Sequence, residues 1–167
     1  FYKGNIDWNK DKFISIVGTR KASSFGKQFT NELVKELAPY NPVIVSGLAH
    51  GVDIAAHKAA LQYGLKTIAV FAHGLDKIYP SAHATIAKTI IANGCLLTDY
   101  LSGTVALPQH FVSRNRIVAG LSDATIVVES AAKGGSLITA DIANSYNREV
   151  FAVPGNPIDK NAKGCNY

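Results

Sequence analysis

The sequence predicts an α/β fold: a Rossmann-like, doubly wound and mostly parallel sheet of about six or more strands with helices on both faces. Three observations predict it. Short, nearly all-apolar runs rich in β-branched residues recur from Phe13 onward, as strands buried on both faces require. Segments with apolar residues at helical spacing separate them, and glycine-bearing loops follow the runs.

In chain order the expected strands are Phe13–Val17, Val43–Ser46, Thr67–Phe71, Cys95–Thr98, Ala124–Glu129 and Glu149–Val153. The expected helices lie between them, at Ser24–Leu37, Val52–Tyr63, Ser81–Asn93, Arg114–Leu121 and Ser136–Asn147. Residues 1–12 read as an N-terminal edge segment or linker, 13–157 as the Rossmann-like domain, and 158–167 as a truncated C-terminal extension.

Composition narrows the class. A chain of 167 residues suits one compact domain. Seventeen Lys and Arg against twelve Asp and Glu leave a charge of +5, which admits a polyanionic partner. No apolar run approaches the ~18 residues that span a bilayer, and the N-terminus lacks the order of a signal peptide, so no membrane association is expected. Cys95 and Cys165 have neither disulfide spacing nor a CxxC arrangement, which fits a reducing, cytoplasmic setting. The lack of any Met, and an end at Lys163-Gly164-Cys165-Asn166-Tyr167, lead to the expectation of a piece trimmed from a longer protein.

In open α/β sheets ligands bind outside the carboxyl ends of the strands, and the unusual loops fall there. The first, Gly18-Thr19-Arg20-Lys21, lacks both the GxGxxG spacing of a dinucleotide site and the Lys-Ser/Thr ending of a P-loop. What remains is a tight turn, hydroxyl donors and an arginine fork suited to phosphate; an exposed Arg capping a turn is the plainer alternative. The second, Gly47-Leu48-Ala49-His50-Gly51, lets a ligand approach the backbone closely or simply packs loop on sheet. His50, Asp53 and His57 share a helix face, but without HExxH or a thiolate partner no metal or other cofactor is expected.

Further along, Phe111 stands before Arg114, Asn115 and Arg116. Cations interleaved with an aromatic are what a single-stranded nucleic acid needs, for its phosphates and for a base. Alternatively Phe111 is core and an arginine pairs with Asp99, Asp123 or Glu129. Lys133-Gly134-Gly135-Ser136 opens a helix with unhindered amides, a second phosphate cradle or a plain turn with a serine cap. No GxSxG elbow, Cys–His pairing or telling carboxylate pair points to catalysis.

These motifs together resemble the DNA-processing protein A (DprA/Smf) family. The likeness runs in order through Ile16–Arg20, Val45–Asp53 with Ala56-His57, Gly74–Asp76 with Tyr79-Pro80, Phe111–Ser122, Gly135–Ala140 and Val153–Gly155. It implies a cytoplasmic, non-enzymatic protein of natural transformation that binds single-stranded DNA, protects incoming strands and helps load the RecA recombinase, commonly as a homodimer. On that likeness Arg20 grips phosphate beside Gly18, Thr19 and Lys21, Phe111 stacks on a base, and Arg114 and Arg116 line or support the pocket. The rival reading is a nucleoside monophosphate phosphoribohydrolase of the lysine-decarboxylase-like type. Its PGGxGTxxE signature has no counterpart in Lys133–Thr139, where the proline, the following glycine and the glutamate are all missing.

Overall fold

The computed structural model describes residues 1–9 and 11–166; Lys10, in the expected N-terminal segment, and Tyr167, in the expected extension, lie outside the described residues. The strands are β1 (Tyr2–Gly4), β2 (Phe13–Gly18), β3 (Val43–Ser46), β4 (Thr67–Val70), β5 (Gly94–Leu97), β6 (Ala124–Val128) and β7 (Glu149–Ala152). The longer helices are α1 (Ser24–Leu37), α2 (Val52–Gln62), α3 (Ala84–Ala92), α4 (Pro108–Leu121) and α5 (Gly135–Ser145).

One seven-stranded sheet runs in the order β1-β5-β4-β3-β2-β6-β7. All neighbours are parallel except β1, which closes the β5 edge antiparallel, with Tyr2 opposite Leu97. Alternation within each strand divides the core. Phe13, Val17, Val43, Val45, Ile68 and Val70 face α4 and α5, where Val118 and Ala140 meet them. Ile16, Ile44 and Val128 face α1 and α2, packing on Val34, Val52, Ala56 and Ala60. Leu48, Ala69, Phe71 and Leu96 pack on Ala87 and Ile90 of α3.

Chain order reverses at β2: successive units step outward to β3, β4 and β5, and the chain then returns to place β6 on the other side of β2. That switch point parts the loops after β2 and β6 and opens a crevice at the carboxyl ends of the strands.

Three expectations need correction, and one is sharpened. The sharpened one is the N-terminal edge segment, which supplies an edge strand, β1, that is absent from the expected strands because Tyr2-Lys3-Gly4 is too short and too polar for its pattern to register. The last strand, β7, is not buried on both faces; as an edge strand it leaves Phe151 largely exposed. A 3-10 turn at Ser81–His83 precedes α3, so that helix starts later than expected. Conversely α4 starts six residues earlier, because Pro108 occupies its first turn, where a missing N–H costs nothing. Residues 158–166 turn back onto the domain, with Gly164 N–H donating to Ser130 O at 2.8 Å.

Candidate nucleic-acid interface

The crevice at the switch point is a cleft of about 480 Å³. Its walls come from the β2–α1 loop (Gly18, Thr19, Arg20), the β3–α2 loop (Gly47, Ala49), the face of α4 (Phe111, Arg114, Asn115) and the start of α5 (Gly134, Gly135, Ser136). Each of the four segments singled out by composition supplies walls, and the β4 side reaches the cleft through Tyr79.

Arg20 is held by the loop beneath it. Thr19 N–H donates to Glu129 O at 2.8 Å, and the Thr19 carbonyl accepts from Val52 N–H at 3.2 Å, so the turn is tied to β6 and α2. The Glu129 carboxylate accepts from Ser23 N–H at 2.9 Å and from the Ser23 hydroxyl, which in turn caps α1 by accepting from Gly26 N–H at 3.0 Å. A Cβ on Gly26 would collide with that carboxylate. Glu129 adopts φ +57°, uncommon for a residue with a side chain. Thus anchored, the loop sends an exposed Arg20 side chain over the Phe111 ring, its guanidinium carbon 5.1 Å from the centroid. The Tyr79 ring lies 5.9 Å from that of Phe111, centroid to centroid.

Beneath this mouth is a buried ionic frame. Arg114 is only 5% exposed, donates to Val70 O, and faces Asp53. The Asp53 carboxylate accepts from Gly47 N–H at 3.1 Å and Ala49 N–H at 3.3 Å, fixing the β3–α2 loop. Burial pushes the Asp53 carboxyl up from its ordinary value, while Arg114 and the Ala49 and Gly47 amides pull it down. Burial lowers the Arg114 guanidinium, Asp53 opposes that, and Arg20 adds to it. Gly47 is required, since a Cβ there would strike the guanidinium.

At the other wall Gly134 caps α5 without a side chain, so the first amides of the helix are uncapped at the cleft. The Ser136 hydroxyl donates to Ser130 Oγ at 2.8 Å rather than serving as a helix cap. Asn115 donates to Gly135 O at 3.4 Å, linking α4 to α5.

The remaining expected residues sit elsewhere. Leu48, at φ +61°, buries its side chain fully in the core beside Phe71 and offers its carbonyl to His83 at 2.8 Å, because the tight loop turns it inward. Arg116 points away and pairs with Asp99 at 2.6 Å, and Lys133 is exposed outside the cleft lining. Lys21, His50 and Gly51 line a neighbouring groove. By spacing, Asp53 falls only on a helix face with His50 and His57, and Ser130 is not marked as a site residue at all; the spacing of neither reveals its partner.

His50, Asp53 and His57 do not converge. His50 stacks edge-on against His83, with centroids 4.7 Å apart, and among the described residues no group of three His, Cys, Asp or Glu side chains is placed to hold a metal. His57 is buried. The Thr67 hydroxyl donates to Ile44 O, so it accepts from His57 Nδ1–H at 2.7 Å, leaving Nε2 without a partner. Burial, with Arg114 and His83 nearby, lowers its pKa from 6.5 to about 3. No helix is long and apolar enough to cross a membrane among the described residues.

Comparison with known proteins places this geometry. The family described as DNA recombination-mediator protein A matches residues 1–167. The chain is 44% identical over 167 residues to DNA processing protein DprA of Streptococcus pneumoniae, covering all of this chain and 59% of that protein. It is 40% identical to Protein Smf of Synechocystis over 169 residues, covering 99% of this chain and 42% of the other. The chain therefore spans about half the length of these relatives. The X-ray structure of the S. pneumoniae protein superposes with a TM-score of 0.94 over 99% of this chain and 58% of that one. DNA processing protein A of Helicobacter pylori, whose structure addresses its single-stranded DNA binding mode, superposes with a TM-score of 0.89 at 34% identity, covering 97% of this chain and 74% of its own. With its whole length matched in sequence and nearly all of it in fold, the chain belongs to the DNA recombination-mediator protein A family.

Proposed function

We propose that the cleft binds single-stranded DNA, with a backbone phosphate on Arg20 and a base stacked on Phe111. The observation that carries this reading is the meeting of those two side chains at 5.1 Å across the cleft mouth. A guanidinium offers a planar fork to phosphate, and an aromatic face accepts any base, so together they select a strand whose bases are unpaired. Uncapped amides at the start of α5 supply a second locus for anionic oxygen. Arg114 and Asp53 act from below by holding the loops in place.

Membership of the family, and the single-stranded DNA binding of the H. pylori relative, support a wider role for this chain. The protein protects incoming single strands during natural transformation and helps hand them to the RecA recombinase, as a cytoplasmic homodimer, with no bond made or broken. The test is fluorescence anisotropy of labelled oligothymidine across a salt series, with matched duplex as competitor. Salt-sensitive binding that prefers the single strand and collapses in Arg20→Ala is expected, since neutralised phosphates appear as a salt slope. Equal, weak binding by wild type and variant, with nucleoside monophosphates bound or cleaved instead, would overturn it.

A further inference from the structure

A second groove, of about 690 Å³, runs between α1 and α2 and shares Arg20 with the cleft. Its charged lining is of one sign: Arg20, Lys21, Lys27 and Lys58, with His50 alongside and no carboxylate. None of these four cations takes part in an ion pair among the described residues. By contrast Lys35, Lys66 and Arg116 each meet a carboxylate within 4 Å.

Helix geometry explains the alignment. Lys27 and Asn31 stand four apart on one face of α1, and Ile54, Lys58 and Gln62 stand four apart on the facing side of α2. Tyr63 Oη–H donates to Asn31 Oδ1 at 2.8 Å, which leaves the Asn31 amide NH2 as the donor group for the groove. The groove differs from the cleft in having no Phe, Tyr or Trp in its lining, and its one ring, His50, is engaged by His83. It offers cations and an amide to a sugar-phosphate backbone and no platform to a base.

We infer that this α1–α2 groove is a backbone track, in which a single strand held at Arg20 lays its adjoining phosphates along Lys21, Lys27 and Lys58. The inference rests on reading the cleft as the single-strand site, and adds to it the direction in which the strand leaves. Such a track is sequence-independent and is felt only by strands long enough to reach it.

The test compares oligothymidines of about 4 and about 20 nucleotides, binding to the full chain, its Lys27→Gln/Lys58→Gln form and its Arg20→Ala form across a salt series. Both lysines are exposed, so circular dichroism and thermal unfolding should match wild type. For the long strand, neutralising two phosphate contacts should flatten the log–log salt slope by about 1.4, at about 0.7 per phosphate. The short strand should bind the double variant as it binds wild type. An unchanged long-strand slope, while Arg20→Ala still weakens binding of both lengths, overturns the track and leaves the cleft reading intact. Binding of both lengths that survives Arg20→Ala overturns the cleft reading, and with it the continuity that the track requires.

Discussion

The Arg20 guanidinium lies over the face of the Phe111 ring, 5.1 Å from its centroid, joining the loop after β2 to the first turn of α4. Ninety residues of chain separate the two, and the parallel sheet brings them together because β2 ends beside β6 and α4 leads into β6. The contact itself is worth only about 0.5–1 kcal/mol at an exposed site. Its consequence is positional: a cation and a ring face share one entrance.

Those two residues should therefore fail differently. Phe111→Ala should weaken oligothymidine binding by about 1–3 kcal/mol, roughly 5- to 150-fold, with its salt slope unchanged. Arg20→Ala should flatten that slope by about 0.7 as well as lower affinity. A salt series in anisotropy separates them, and identical behaviour of the two variants would refute the division of roles.

Arg114 should matter mainly through Asp53. Arg114→Leu removes the cation nearest the buried Asp53 carboxylate and a hydrogen bond to Val70 O, and should cost about 1–3 kcal/mol in urea unfolding. Adding Asp53→Leu should recover part of that loss, giving a clear coupling energy in the double-mutant cycle. Strict additivity would mean that the two do not act as a pair.

Gly51 is required twice over. It sits at φ +78°, and a Cβ there would run into the Thr19 and Arg20 backbone. Gly51→Ala should destabilise the fold by at least about 1–3 kcal/mol, the usual size of such backbone strain, and displace the Arg20 loop. Gly64→Ala makes the comparison, because its φ of +74° is also positive but with open space around it. Equal losses in thermal unfolding, with equal DNA binding, would show that the contact with the Arg20 loop is irrelevant.

His57 should make stability fall in acid. Native His57 stays neutral down to about 3, whereas the unfolded residue takes up a proton near 6.5, so protons favour the unfolded state between those values. The loss should approach about 1.4 kcal/mol per pH unit below 6.5. Asp53 acts oppositely: its raised pKa lets the native state keep a proton just above 3.8, so that group's contribution falls as pH rises there. Urea midpoints of wild type and His57→Gln, followed from pH 7 to 5, isolate the histidine; parallel curves would exclude it.

The sheet was legible because its strands are continuous apolar runs, and Val43–Ser46 and Ser24–Leu37 coincide with the expected spans. Where the sequence misled, a local signal was overridden. Gln109–Ser113 looks like loop because its apolar residues lack helical order, yet Pro108 at the first turn of α4 is itself a start signal. Reading it would have placed Phe111 on a helix face from the start.

By itself the sequence determined which loops would bear glycine, hydroxyl and cation, because strand, turn and helix propensities are local and ligands of such sheets gather at one edge. Only the tertiary structure decided how those residues divide. Arg20 stays free over Phe111, Arg114 is buried over Gly47 with its hydrogen bond to Val70 O, Arg116 is spent on Asp99, and Leu48 turns into the core. Burial and pairing depend on neighbours far along the chain. Three arginines that look alike in sequence therefore have different surroundings once β2 and β6 lie side by side.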